Sequence, residues 1–206
     1  DRELIRYYCT QIEKSSVNVF FNYEVKDLKE IAADEIIVAT GSKTTRTLNV
    51  SGSDKAVSAL DFLKEKSERG NNVVIIGGGL TGCEIAYELA MQGKKVSVVE
   101  VLDDILKVPG VCMANTSYLR DAFEFYGVHV YTEANVTEIR DNSVVFDTKN
   151  GSKELASDKT IVSVGYLNGT EFGCDMKHVH IIGDADKVSN LYHAVVEAND
   201  LVMQFS

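Results

Sequence analysis

Three glycines that follow an apolar segment carry the clearest chemical signal in this chain. Gly77, Gly79 and Gly82 lie between the apolar segment Asn72–Ile76 and a segment with helical periodicity, Leu80–Gln92. In such a turn the first glycine permits a tight bend, the second lets a pyrophosphate approach the backbone, and the third allows close helix–strand packing. The helix N-terminus offers unpaired amides and a positive dipole end to the phosphates. The pattern predicts a dinucleotide site, and the alternative is a strand–helix turn without a ligand.

An acidic residue follows the glycine turn at a suitable distance. Glu100 ends the predicted strand Lys95–Glu100, 18 residues after Gly82. A carboxylate there accepts hydrogen bonds from both ribose hydroxyls, whereas a 2′-phosphate meets like charge. No arginine follows in residues 101–104. The sequence therefore favours NADH over NADPH, with a solvated strand-end carboxylate as the alternative.

Glu84 is a second acidic candidate, two residues after Gly82. It is expected in the first turn of the helix, where an acidic residue suits the positive end of the helix dipole. The functional alternative is an acceptor for the nicotinamide carboxamide. Both interpretations stay open from the sequence.

These side chains need a framework of alternating helices and strands. A βαβ unit is predicted around the glycine turn, because strand, glycine turn, helix and strand follow within about 30 residues. Further helices are predicted at Leu4–Lys14, Val57–Arg69, Tyr118–Tyr126 and Leu191–Phe205, and a hairpin at Val25–Ile31. Strands are predicted at Val17–Phe21, Glu35–Ala39, Val128–Tyr131, Val136–Ile139, Ser143–Phe146, Lys159–Val164 and His178–Ile182. The pattern is that of an α/β protein.

Composition excludes several classes of function. The 206 residues include 21 Lys and Arg against 31 Asp and Glu, so the net charge of −10 makes nucleic acid a poor partner. No apolar run approaches the ~20 residues of a membrane span. The four cysteines, Cys9, Cys83, Cys112 and Cys174, form no CxxC motif, which favours reduced thiols and a cytoplasmic protein.

Three motifs in order resemble those of flavoprotein reductases with two dinucleotide-binding domains. The glycine turn with Gly82-Cys83-Glu84 and the strand ending at Glu100 resemble the NAD domain. Ile36–Gly41 resembles the strand ending in Ala-Thr-Gly, and Ile181–Ala185 resembles the late Gly-Asp-Ala motif. With Leu4–Val25, they are similar to the C-terminal half of 2-enoate and 2,4-dienoyl-CoA reductases.

The resemblance implies a domain organisation and a function. It implies a Rossmann-like three-layer NAD(P)H-binding domain at 46–152, and parts of an FAD-binding domain at 1–45 and 153–206. Hydride would pass from NADH to FAD, and a parent enzyme would reduce an activated alkene of the enoate or dienoyl-CoA type. An N-terminal barrel with FMN and an iron–sulfur cluster would be the partner of this part.

The resemblance also assigns roles to individual residues. The pyrophosphate would lie against Gly77, Gly79, Leu80, Thr81 and Gly82, and the adenosine ribose against Glu100. Glu84 and Gly165 would lie near the nicotinamide. The residues that face FAD would be Val25, Thr40, Gly41 and Asp184.

The same resemblance predicts that this chain is a fragment. The family's first FAD glycine motif should precede Asp1 and nothing like it is present, so an incomplete FAD domain and little activity alone are expected. Two other functions stay open: a dinucleotide-binding sensor module without catalysis, and half of a pyridine nucleotide-disulphide reductase. A homo-oligomer is also possible.

Overall fold

The computed structural model describes residues 2–43, 46–64, 70–108, 110–169, 172 and 176–205. Within these residues the chain forms five α-helices and ten β-strands. The helices are α1 (Arg2–Lys14), α2 (Ala59–Lys64), α3 (Leu80–Met91), α4 (Met113–Tyr126) and α5 (Leu191–Val202). The strands are β1 (Ile36–Val38), β2 (Val57–Ser58), β3 (Asn72–Ile76), β4 (Lys95–Val99), β5 (His129–Tyr131), β6 (Asn135–Ile139), β7 (Ser143–Thr148), β8 (Gly151–Ala156), β9 (Lys159–Val162) and β10 (Val179–Ile181).

A parallel five-stranded sheet in the order β2-β9-β3-β4-β5 forms the centre of the larger unit. Its middle strand β3 pairs with β4 through Val73 and Val96 and with β9 through Ile75 and Ile161. Buried apolar residues on one side of this sheet pack with α2, α3 and α4. Parallel strands of this kind are mainly apolar because both of their faces are covered.

An antiparallel sheet of β6, β7 and β8 covers the other face of the parallel sheet. Val74, Ile76 and Val99 of the parallel sheet form one buried cluster with Val144 and Phe146 of the antiparallel sheet. The larger unit therefore has three layers: antiparallel sheet, parallel sheet and helices. The predicted α/β class with a Rossmann-like three-layer arrangement is confirmed.

The smaller unit consists of β1, β10 and α5. The two strands are parallel, with Ile36 opposite Val179, and their small apolar cluster includes Leu28 and Val38. Helix α1 contributes no buried residue, although Ile5 and Ile12 are apolar. The smaller unit is thus built from little buried surface.

Two stretches of chain run side by side next to the larger sheet. The Lys43 amide donates to the carbonyl oxygen of Leu167 (3.1 Å), and the Arg46 amide donates to that of Gly165 (2.8 Å). These bonds pair the segment that leaves β1 with the segment that follows β9, in opposite directions. The two units are therefore joined by a hydrogen-bonded pair of connections.

Most predicted elements are confirmed, with four clear differences. Val17–Phe21 is not a strand. Val25–Ile31 is not a hairpin but contains a 3₁₀ turn at Leu28–Glu30, and the side chain of Asp27 caps the N-terminus of this turn. Strand β8 has no counterpart among the predicted elements. The helix predicted at Val57–Arg69 begins only at Ala59, because Val57 and Ser58 pair with β9 as strand β2. The predicted end of that helix, residues 65–69, lies outside the described residues.

The domain limits remain a prediction, but the sheet bears on one of them. Strand β9 pairs with both β2 and β3 of the parallel sheet, although it lies beyond the predicted limit at residue 152. A limit after Val162 keeps the whole sheet in one unit. Among the described helices, none is both long and apolar enough to cross a membrane.

Candidate functional site

The glycine turn joins β3 to α3 with two very close backbone contacts. Gly77 has a left-handed φ of 107°, and a Cβ on it would lie 2.2 Å from the carbonyl oxygen of Ser163. A Cβ on Gly82 would lie 2.2 Å from the carbonyl oxygen of Gly77. No side chain fits at either position without movement of the backbone. The turn and the close helix packing expected of these two glycines are both present.

Gly79 differs from its neighbours because the space beside it is open. A Cβ on Gly79 would find no atom within 4 Å, and its φ of −68° is ordinary for any residue. Gly79 is also the N-cap of α3, and no side chain caps the helix. The first amides of α3, at Leu80, Thr81 and Gly82, therefore have no side-chain acceptor at an end of the helix that attracts anions.

Glu100 is buried beside this turn, with only 7% of its surface exposed. Its Oε2 accepts a hydrogen bond from the Gly78 amide (2.5 Å), and its Oε1 accepts one from the Leu102 amide (2.8 Å). A solvated strand-end carboxylate is therefore ruled out. Each carboxylate oxygen has a further lone pair, so Glu100 is able to accept hydrogen bonds from a ligand as well.

The two candidates for the nicotinamide end differ in their surroundings. Helix α3 begins at Leu80, so Glu84 is its fifth residue, and the expected position in the first turn is wrong. Glu84 is exposed, and the helix-dipole explanation for it is weakened. Gly165 follows β9, in the segment whose Ser163 contacts Gly77. The topology thus places Gly165 at the same edge of the sheet as the glycine turn.

The smaller unit has a groove of about 450 Å³ where β1 and β10 end. Gly41 and Asp184 both line it, while Thr40 and Val25 do not. Val25 instead packs against the apolar cluster of that unit. The other residues lining the groove are Ala39, Ile182, Gly183, Ser189, Asn190, Leu191, Ala194 and Ala198.

Hydrogen bonds fix the shape of this groove. Asp184 Oδ1 accepts from the Ser189 amide (2.9 Å), and Glu197 Oε2 accepts from the Gly183 amide (2.7 Å). Asn190 caps α5 by accepting from the His193 amide (3.1 Å). Sequence analysis missed Ser189, Asn190 and Glu197. Only Asn190 carried a usable signal, as a polar residue directly before a helical segment.

The cysteines and histidines do not form a second reactive centre in the described part of the chain. Burial raises the pKa of the Cys83 thiol to about 12, and its Sγ donates to the Gly78 carbonyl oxygen at 3.3 Å. Such a thiol is a poor nucleophile at neutral pH. Cys9 and Cys112 are free and exposed, and Cys174 lies outside the described residues. No group of three potential metal ligands occurs among the residues described.

A second, polar cavity of about 410 Å³ lies at the opposite end of the parallel sheet. It is lined by the start of β9, including Lys159, and by Lys55 and Asp141, which form an ion pair at 2.8 Å. Because the glycine turn lies where β3 ends, this cavity is separate from the candidate nucleotide site.

Sequence comparison identifies the family. Residues 3–194 match the model of the pyridine nucleotide-disulphide oxidoreductases. The chain belongs to the pyridine nucleotide-disulphide oxidoreductase family. Membership of this family implies binding of FAD and of a nicotinamide dinucleotide.

Individual proteins resemble the chain over most of its length. Cinnamate reductase from Clostridium sporogenes is 36% identical over 208 residues, covering 98% of this chain and 31% of the relative. NADH oxidase from Thermoanaerobacter brockii is 31% identical over 186 residues, covering 84% and 28%. The structure of 2-naphthoyl-CoA reductase with 2-naphthoyl-CoA superposes with a TM-score of 0.79 at 30% identity, covering 94% and 30%. The chain therefore spans about a third of the length of these relatives.

Proposed function

We propose that this chain is the NADH-binding part of a flavin-dependent oxidoreductase. The observation that carries the proposal is the open space at Gly79, the N-cap of the uncapped helix α3, which directly follows Gly78, the donor to the buried carboxylate of Glu100. A pyrophosphate fits the first feature and a ribose diol the second. When both cofactors are bound, NADH supplies a hydride to FAD.

The residues of the glycine turn contribute binding and orientation. Amides of Leu80, Thr81 and Gly82 hold the pyrophosphate, and Gly77 keeps the turn tight enough for Gly79 to face it. Glu100 accepts hydrogen bonds from the adenosine ribose, and its negative charge disfavours a 2′-phosphate. NADH is therefore the proposed substrate rather than NADPH.

The groove of the smaller unit is the proposed position of FAD. Gly41 and Asp184 would contact the flavin nucleotide there, with Thr40 and Val25 near its edge. Glu84 and Gly165 would lie on the side of the larger unit that faces the nicotinamide. A volume of about 450 Å³ is in the usual range for a ligand site and holds part of a dinucleotide.

The reaction of a longer parent protein is a further part of the proposal. The names of the relatives, cinnamate reductase and 2-naphthoyl-CoA reductase, favour an activated alkene or a related acyl-CoA as the final acceptor. The N-terminal barrel, FMN and iron–sulfur cluster would belong to the remaining two thirds of such a protein. In that case this chain binds NADH but has little activity alone.

Titration calorimetry with NADH and NADPH tests the proposal directly. We expect saturable binding of NADH and clearly weaker binding of NADPH. A Gly79→Ala variant should lower NADH affinity at least ~10-fold, equivalent to 1.4 kcal/mol, because its methyl group enters the space for the pyrophosphate. Its melting temperature should fall only modestly, since that methyl group contacts no protein atom and alanine replaces glycine only as the N-cap of α3. Equal NADH affinity in the variant and the wild type would show that no ligand approaches Gly79.

A dinucleotide-binding module without catalysis is the second candidate. It is favoured by the small unit, because a two-stranded sheet has little stability of its own and α1 buries no residue. An absorbance spectrum of the purified chain separates the two functions, since a sensor need hold no flavin. The disulphide reductase alternative is disfavoured by the buried, weakly acidic thiol of Cys83. Alkylation of the exposed thiols should leave NADH binding unchanged.

A further inference from the structure

We propose that Arg120 is a positioning residue for NADH, which acts by holding the 101–106 segment against the glycine turn. This inference rests on the NADH binding proposed above. Segment 101–106 follows β4 and leads from Glu100 toward α4, where Arg120 lies. Nothing in the sequence pattern indicates Arg120, because its partners are about 15 residues away along the chain.

Arg120 binds the 101–106 segment through three hydrogen bonds. Its Nη1 and Nη2 donate to Asp104 Oδ1 and Oδ2, both at 2.9 Å, and Nη2 also donates to the carbonyl oxygen of Ile105 at 2.8 Å. A planar guanidinium is suited to this paired geometry, whereas the ammonium of a lysine is a single point of charge. The arginine therefore fixes both the side chain of Asp104 and the backbone that follows it.

Ile105 and Leu106, which follow Asp104, connect the residues bound by Arg120 to the glycine turn. Ile105 is buried, and its Cγ2 lies 2.6 Å from the position that a Cβ on Gly78 would take. The Leu106 amide donates to the carbonyl oxygen of Gly78 at 2.7 Å. Leu106 has a left-handed φ of 59°, a conformation that a leucine adopts only where its surroundings enforce it. Arg120 helps to hold Leu106 in this conformation, because it donates a hydrogen bond to the carbonyl oxygen of the preceding residue, Ile105.

The same segment sets the orientation of Glu100. One carboxylate oxygen is held by the amide of Leu102, at the start of the segment, and the other by the amide of Gly78. Gly78 is in turn held by Leu106. Release of Arg120 would therefore loosen both donors that orient the carboxylate toward the ribose.

Arg140 provides a matched control for Arg120. Its side chain is 47% exposed against 43% for Arg120, and it also pairs with carboxylates, those of Glu138 and Glu154. Arg140 lies directly after β6 in the antiparallel sheet, away from the glycine turn. Loss of either arginine changes the net charge by the same amount, so a general effect of charge on an anionic ligand is cancelled.

The experiment compares NADH and NADPH dissociation constants by calorimetry in four variants: Arg120→Gln, Arg120→Lys, Asp104→Asn and Arg140→Gln. We expect Arg120→Gln and Asp104→Asn to weaken NADH binding ~10-fold and NADPH binding less, so that the selectivity ratio falls. Arg120→Lys should lie between them and the wild type, and Arg140→Gln should match the wild type. A purely structural ion pair would move the melting temperature without moving the selectivity ratio.

Two results would overturn the inference while leaving the proposed function intact. One is an equal affinity for NADH in the wild type and in a folded Arg120→Gln variant. The other is an equal loss in Arg120→Gln and Arg140→Gln. If Arg120→Gln does not fold, unchanged NADH affinity in folded Asp104→Asn overturns it equally. A wild-type chain that binds no NADH would instead overturn the proposed function itself.

Discussion

The two candidate cofactor sites lie at equivalent places, each where parallel strands end, yet they are supported very differently. Among the described residues, 16 buried side chains form the cluster between the five-stranded sheet and its helices, and four form the cluster of the two-stranded sheet. A Cβ on Gly77 or Gly82 would meet backbone at 2.2 Å, whereas one on Gly183 would find its first neighbour at 3.8 Å. The larger unit shapes its site by dense packing, and the smaller unit does so by a few hydrogen bonds.

This difference indicates which site is formed in advance of ligand binding. Close-packed interiors transmit any change in volume, so the glycine turn has one geometry that the surrounding core maintains. The groove at Asp184 depends on hydrogen bonds from the amides of Ser189 and Gly183. Few buried side chains pack against the segment that carries these amides. We therefore expect the smaller unit to open at lower denaturant than the larger one.

A pair of core substitutions gives the largest expected contrast. Ile75→Ala, at the centre of the parallel sheet with 0% exposure, should lower the free energy of unfolding by about 4 kcal/mol. Ile36→Ala, in β1, should lower it by about 2 kcal/mol, because its site is less densely surrounded. Urea unfolding followed by circular dichroism measures both. Ile37→Ala, at an exposed position, is the control, and equal losses at Ile75 and Ile36 would contradict the comparison.

Glycine substitutions should reveal the same contrast at the two turns. Gly82→Ala forces α3 away from the Gly77 carbonyl and should cost about 2 kcal/mol. Gly183→Ala meets only the strain of its left-handed φ of 61° and should cost about 1 kcal/mol. Urea unfolding measures both losses, from the shift of the midpoint at an unchanged dependence of the free energy on urea concentration. A greater loss at Gly183 would show that the groove, not the glycine turn, is the tighter site.

A pH titration should show a smaller effect in the larger unit. The Arg120 guanidinium holds the pKa of the Asp104 carboxyl below its ordinary value of 3.8. A lowered folded-state pKa means that the pair stabilises the fold above pH 3.8, and that this stabilisation is lost as the pH falls through the folded-state pKa. The stability of Asp104→Asn should therefore differ from wild type at pH 7 and converge with it in acid. A constant difference over the whole range would exclude this ion pair as the cause.

The smallest effect is expected in helix α1. Ile12→Ser should change the free energy of unfolding by no more than about 0.5 kcal/mol, because Ile12 is 45% exposed and α1 buries no residue. Urea unfolding of this variant beside wild type is sufficient. A loss comparable to that of Ile36→Ala would mean that α1 packs against a surface in solution.

The sequence was informative where apolar residues repeat and silent where pairing alone makes the structure. Strands β3 and β4 were predictable because most of their residues are apolar and β-branched. Strand β8 was not, since Gly151–Ala156 is mostly polar and exposed, and it is held by β7. Val17–Phe21 has the opposite character: it is mostly apolar, like a strand, but it pairs with no strand in the described part of the chain.

The site shows the same division. The roles of Gly77 and Gly82 in the turn followed from their spacing, because steric limits on backbone approach are local. The burial of Glu100 and its two amide donors did not, since the fold of residues 101–106 decides them. Arg120 and Glu197 were equally hidden, because each reaches a partner that lies far from it along the chain.

The paired connections between the units have a mechanical consequence. The Lys43–Leu167 and Arg46–Gly165 hydrogen bonds hold two connections side by side. We expect this pair to oppose twisting of one unit against the other more strongly than bending, because twisting would break the hydrogen bonds. We therefore expect the two units to move relative to each other by bending at this pair of connections. The separation between Glu100 and Asp184 then changes along one path, which one distance measurement by fluorescence would follow.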